Sequence, residues 1–119
     1  MKSPKQLIKS IGNAFNGFWI TLKEESSIKI QLFLGIIAIF FGFYFSISTA
    51  EWFAVILCFS AILSTEVMNS AIENLADKIT LEQDPYIKKA KDMGAGAVLI
   101  VATASIIIAC IIFIPKFIR

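Results

Sequence analysis

Charge is missing from two long stretches of this chain. Between Lys29 and Glu51 lie 21 uncharged residues, Ile30 to Ala50, and between Asp92 and Lys116 lie 23 more, Met93 to Pro115. At about 1.5 Å of rise per residue the shorter one makes roughly 31 Å of helix, close to the thickness of a bilayer's hydrocarbon layer. Each predicts a membrane span. A third apolar stretch, Trp52 to Thr65, covers only 14 positions, but helical spacing continues through Val67, Met68, Ala71, Ile72, Leu75 and Ala76 with acids interleaved. It predicts a middle span with one polar end. Near the N-terminus Leu7, Ile8, Ile11, Phe15, Phe18 and Leu22 recur at helical spacing with Lys5, Lys9, Asn13 and Asn16 between them. That is the pattern of an amphipathic helix lying in the headgroup region, or packed on the other three, and it lacks the continuous apolar core of a signal peptide.

The expected fold is therefore an all-α integral membrane protein, three transmembrane helices plus an N-terminal amphipathic surface helix. The surface helix covers 4–24, the spans 29–49, 52–78 (with a cytoplasmic extension) and 92–115, and a cytoplasmic loop 79–91 holds a turn at Asp84-Pro85. Nine of the eleven Lys and Arg residues flank one side, precede the first span or sit between the second and third, which puts the N-terminus in the cytoplasm. Phe43 to Glu51 then forms a short external turn. Composition agrees with this picture: 57% of 119 residues are hydrophobic and 17% charged, an apolar excess too large for so short a chain to bury in its own core. A net charge of +2 with no continuous basic block argues against nucleic acid. Two Cys within apolar runs and no His leave neither a disulfide framework nor a zinc site.

Acids in the middle span carry the candidate chemistry. Glu66, Asn69, Glu73 and Asp77 are spaced by three, four and four, so at about 100° per residue they form one stripe along the helix. Ionised groups at the edge of a hydrocarbon layer cost several kcal/mol each and usually mark a site. Glu24 and Glu25 lie at the same depth before the first span, and Lys91 and Asp92 before the third. Two separated carboxylates suit a magnesium ion that also holds phosphate oxygens, a further one can accept a hydroxyl proton, and a Lys can neutralise phosphate. Soluble kinase signatures are absent: Gly12 to Gly17 has the glycine spacing of a P-loop but continues Phe18-Trp19 and follows no strand. The same acids would also serve a proton-coupled transporter, or act as inter-helix glue, and the spacing alone does not choose among the three.

Twelve positions from Glu66 to Asp77, Glu-Val-Met-Asn-Ser-Ala-Ile-Glu-Asn-Leu-Ala-Asp, resemble the signature E-x-x-N-[ST]-[SA]-[LIV]-E-x-x-[VA]-D of the prokaryotic diacylglycerol kinase family. Lys91-Asp-Met-Gly-Ala-Gly-Ala-Val-Leu-Ile100 resembles its second block. The resemblance implies a homotrimeric membrane kinase of the bacterial inner membrane, with active sites shared between subunits on the cytoplasmic side, that uses magnesium ATP to phosphorylate a lipid alcohol, diacylglycerol or undecaprenol. Carried over, Glu66 is the general base and Asn69 its orienting neighbour; Glu25 and Glu73 hold Mg2+; Lys91, Asp92, Glu82, Gln83, Asp84 and Asn13 contact the nucleotide. Gln6 and Asn13 stand where some members carry Arg and Tyr. Phe43 to Ser48 followed by Glu51-Trp52 looks more like the undecaprenol branch. Asp77 is either a loop anchor or a participant. Gly94 and Gly96, with Ala90 and Ala97, suit close helix approach, and the Gly94–Gly96 backbone is a possible phosphate cradle if the third span begins beside it.

Overall fold

The computed structural model describes residues 1–119 as four helices and no strand: α1 Pro4–Glu24, α2 Ser26–Tyr44, α3 Thr49–Ile79 and α4 Pro85–Phe117. Local chemistry sets the boundaries. Ser3 with Gln6, and Ser48 with Glu51, form reciprocal capping boxes that satisfy the first N–H groups of α1 and α3. Glu25 alone, in extended conformation at φ −108° and ψ 124°, separates α1 from α2. The loop before α4 is shorter than the sequence suggests. Asp84 Oδ1 accepts from the Tyr86 and Ile87 N–H groups at 2.8 and 3.1 Å, and Pro85 supplies a preset φ at the first helical position, so 85–91 are helix and only 80–84 are loop.

Three of the helices, α2, α3 and α4, are long and apolar enough to cross a membrane. Only 10 of 119 residues are buried, and Ile30, Phe33, Ile36, Phe40, Leu99, Ile106 and Ile111 all lie exposed along these helices. Such continuous apolar faces have no stable place in water and mark contact with lipid or other subunits. At 31 and 33 residues, α3 and α4 run to roughly 46 and 50 Å, well beyond a hydrocarbon layer of about 30 Å. One end of this pair must therefore project into the polar region.

Helices α3 and α4 form the most extensive pair, α2 flanks α3, and α1 touches α2 and α3. The end of the bundle that holds the α2–α3 turn is tied down firmly. Ile47, Val55 and Ile112 form its core, Phe117 stacks edge-on against Phe41 and Phe45 at 5.0 and 4.9 Å, and Lys116 Nζ reaches Glu51 Oε2 at 2.8 Å. Trp52 lies 4.8 Å from the Phe43 ring and covers Gly42, where a Cβ would come within 2.7 Å of the indole. Small residues do permit close approach, at Gly42 and Gly94; Gly96 faces open space.

Helix α2 ends on Ser46, whose φ of 50° is left-handed. The Ile47 N–H donates to Gly42 O at 3.1 Å and the Ser46 N–H to Phe43 O at 3.2 Å, the pair of bonds of a Schellman cap, in which this position favours glycine. Ser46→Gly is expected to raise the thermal midpoint in detergent, by the equivalent of about 0.5–1 kcal/mol, and Ser46→Val to lower it. Differential scanning fluorimetry on the purified variants checks both.

Candidate active site

The end of the bundle opposite Lys116 and Glu51 collects the polar residues. Helix α3 is unbroken from Thr49 to Ile79, so Glu66, Asn69, Glu73 and Asp77 do share one rigid element. Glu66 is the most enclosed of them at 5% exposure. A buried carboxylate needs a donor, and Ser27 on the first turn of α2 supplies it, its Oγ–H donating to Glu66 Oε2 at 3.0 Å. One turn further, Asn69 Nδ2 donates to Glu73 Oε1 at 3.4 Å. Its amide oxygen Oδ1 is buried without a partner, beneath the Gly94 backbone, where any Cβ would collide with it. An enclosed acceptor left unpaired costs about 1–3 kcal/mol and usually signals a role beyond packing.

Asp77 and Lys91 form an ion pair, Nζ to Oδ1 at 2.6 Å, that bridges α3 and α4 across the loop. Both are substantially exposed, 49% and 38%, so the bridge orients the loop more than it stabilises the fold, at about 1 kcal/mol or less. Asp77 therefore ties the start of α4 to the end of α3. Asp92 pairs with Lys88 one turn earlier at 2.6 Å. Of the loop positions, the Glu82 N–H donates to Thr80 Oγ1 at 3.0 Å, Gln83 is exposed, and Asp84 uses Oδ1 to cap α4. Asn13 lines an open groove on α1 with Lys2, Gln6, Lys9 and Ser10; Asp92 lines another with Lys88 and Lys89. Each groove sets lysines beside a candidate nucleotide contact.

Glu25 sits in the break between α1 and α2. Although it occupies the N-cap position of α2, its side chain makes no capping bond. Its carboxylate is therefore uncommitted, and Glu73 keeps one oxygen without a donor. Magnesium asks for one or two carboxylates and completes its shell with water and phosphate oxygen, so this donor set suits it. Within the single chain, however, no three metal-capable side chains gather, and no bond links Glu25 to Glu73. The Gly94–Gly96 backbone, weighed as a phosphate cradle beside its packing role, does not form one. With α4 starting at Pro85, these residues are interior to the helix, their N–H groups occupied by carbonyls four residues back.

The partner of Glu66 is what sequence reading missed. Ser27 lies 39 positions away, and no periodicity on either helix pairs them.

Comparison with known proteins extends the picture along the whole chain. An undecaprenol kinase of Bacillus subtilis (strain 168) is 35% identical over 111 residues, covering 93% of this chain and 90% of the relative. A diacylglycerol kinase of Pseudomonas aeruginosa is 30% identical over 99 residues, 83% of this chain and 80% of that one. One from Escherichia coli (strain K12) is 26% identical over 112 residues, covering 94% and 92%. The prokaryotic diacylglycerol kinase model matches residues 12–113, which include both motif blocks, all of α2 and α3 and most of α1 and α4, and the chain belongs to that family.

Proposed function

We propose that this membrane lipid kinase transfers the γ-phosphoryl group of ATP to the primary hydroxyl of a lipid held in the bilayer, with Glu66 as the general base. The carrying observation is Glu66 itself: a carboxylate 5% exposed, directly after the apolar run Trp52–Thr65 of α3, with Oε2 held by Ser27 and Oε1 accepting no bond from the chain. A lipid alcohol reaches that depth from the membrane and a nucleotide from the water. As the lipid oxygen bonds to the γ-phosphorus, the bond from that phosphorus to the bridging oxygen breaks, ADP leaves with the electron pair, and Glu66 Oε1 takes the hydroxyl proton. Asn69, one turn away and with a free buried acceptor, orients the reacting groups. Lys91 neutralises phosphate charge with the donors that Asp77 leaves free, and Asp92, Glu82, Gln83, Asp84 and Asn13 line the nucleotide side. Glu25 and Glu73 hold magnesium, which when bound offsets the charge on the phosphate oxygens.

Nine of the eleven basic residues share the end that holds Glu66, which argues for a cytoplasmic site and, in a bacterium, the inner membrane. The dispersed acids and broad apolar faces support completion of the site by neighbouring copies, as in a homotrimer. A proton-coupled transporter finds no support among the relatives, which are kinases.

Of the two lipid alcohols, the polyprenol is favoured by the 35% identity to an undecaprenol kinase over most of both chains. The test is a lipid panel in mixed micelles with γ-labelled ATP and purified protein. Label is expected in the extracted lipid, with undecaprenol ahead of diacylglycerol. Diacylglycerol accepted more efficiently would reverse the preference, and no labelled lipid across the panel would overturn the phosphoryl-transfer reading.

A further inference from the structure

Glu66 is the one buried acid of the site, and a side chain from another helix holds it. The Ser27 hydroxyl donates to Oε2 at 3.0 Å, and no other donor in the chain reaches either oxygen. Ser27 is exposed, but the helix turn that carries it is anchored. Ser27 lies in the first turn of α2, and the next residue, Ile28, has no exposed surface at all and locks this turn against its neighbours. Two residues earlier, Glu25 forms the break that starts the helix. One short segment therefore carries both a candidate metal ligand and the only clamp on the buried carboxylate.

A carboxylate on a Glu side chain rotates freely about its last bond unless something stops it, and its two oxygens are then equivalent. A donor on Oε2 makes them inequivalent. It stops the rotation, fixes the plane of the carboxylate, and leaves Oε1 as the oxygen free to accept. Orientation of this kind acts on the chemical step much more than on binding, because the reacting atoms must meet in one geometry. After proton transfer the hydroxyl can still donate to Oε2, now the carbonyl oxygen of a neutral acid, so the clamp holds through the reaction.

We infer that Ser27 is a positioning residue for phosphoryl transfer, its hydroxyl holding Glu66 Oε2 so that Oε1 faces the lipid hydroxyl. The inference rests on the reading of Glu66 as the base.

The test uses the full chain in mixed micelles with magnesium ATP and a polyprenol, comparing Ser27→Ala, Ser27→Thr and Ser27→Cys. Ser27→Ala is expected to lower kcat about tenfold with the KM for ATP and for lipid within about twofold of wild type. Ser27→Thr keeps the hydroxyl and is expected within about twofold of wild-type kcat. Ser27→Cys, a weak donor of similar shape, is expected in between and provides a second folded variant should Ser27→Ala assemble poorly. Wild-type kcat in both Ser27→Ala and Ser27→Cys overturns the inference, as does a rise in KM at unchanged kcat. Glu66→Gln measured alongside separates the two readings. If it is inactive while Ser27→Ala is normal, only the role of Ser27 falls; if it turns over normally, the base reading falls first and takes the clamp with it.

Discussion

Glu66→Gln is expected to reduce kcat by about 10²–10⁴-fold, the usual worth of a general base, while leaving KM, helical content and assembly size close to wild type. The substitution is nearly isosteric. The Ser27 hydroxyl can donate to the amide oxygen as it does to Oε2 at 3.0 Å, so the clamp between α2 and α3 survives. Removing a charge from a position only 5% exposed lowers the cost of burying it, so the fold has no reason to weaken. What disappears is the lone pair that accepts the proton. Phosphoryl transfer to lipid, measured at saturating ATP with circular dichroism and size-exclusion chromatography as controls, separates these effects. Turnover within a few-fold of wild type on every lipid would remove Glu66 from the chemistry and leave it a packing acid.

The architecture could be read from the sequence because membrane spans depend on a one-dimensional property, the absence of charge over a bilayer's length. Met93–Pro115 falls on α4, while Ile30–Ala50 covers α2 only as far as Tyr44 and then runs through the turn into Thr49 and Ala50 of α3, so the first span read as 29–49 starts and stops earlier, at Ser26 and Tyr44. The interleaved acids of α3 follow one helical phase from Glu66 to Asp77. Boundaries depended on finer chemistry. The turn expected at Asp84-Pro85 is there, but Asp84 is a cap and Pro85 a first helical residue, so α4 begins seven positions before the span start read from hydropathy. Resolving that early start also removes the phosphate cradle at Gly94. Contacts between helices were the least legible. Ser27 with Glu66, Asn69 beneath Gly94, and Asp77 with Lys91 are set by how three helices lean together, and nothing periodic in any one of them encodes its partner. The family signature names the residues of α3 in order; it does not say that the first of them is gripped by the start of α2.

Glu25→Ala and Glu73→Ala are each expected to raise the magnesium concentration for half-maximal activity by at least about tenfold, or to abolish activity where magnesium cannot compensate. A tenfold change corresponds to about 1.4 kcal/mol of binding, modest for the loss of one charged ligand of a hard cation. The two acids reach this role by different routes. Glu25 is at a helix start where a carboxylate would ordinarily cap, yet makes no such bond, so its removal takes away a ligand without loosening α2. Glu73 also receives Asn69 Nδ2 at 3.4 Å, so its removal frees the amide as well and is expected to lower kcat beyond the shift in magnesium dependence. Glu51 is the control carboxylate. It pairs with Lys116 at the far end of the bundle, 2.8 Å from Oε2 to Nζ, so Glu51→Gln is expected to lower thermal stability and leave the magnesium titration where it was. Magnesium titrations at fixed ATP on all four proteins decide the matter. Coincident curves for wild type, Glu25→Ala and Glu73→Ala would strip both acids of a metal role, and a shift in Glu51→Gln as large as theirs would mean that the titration reports on the fold and not on the site.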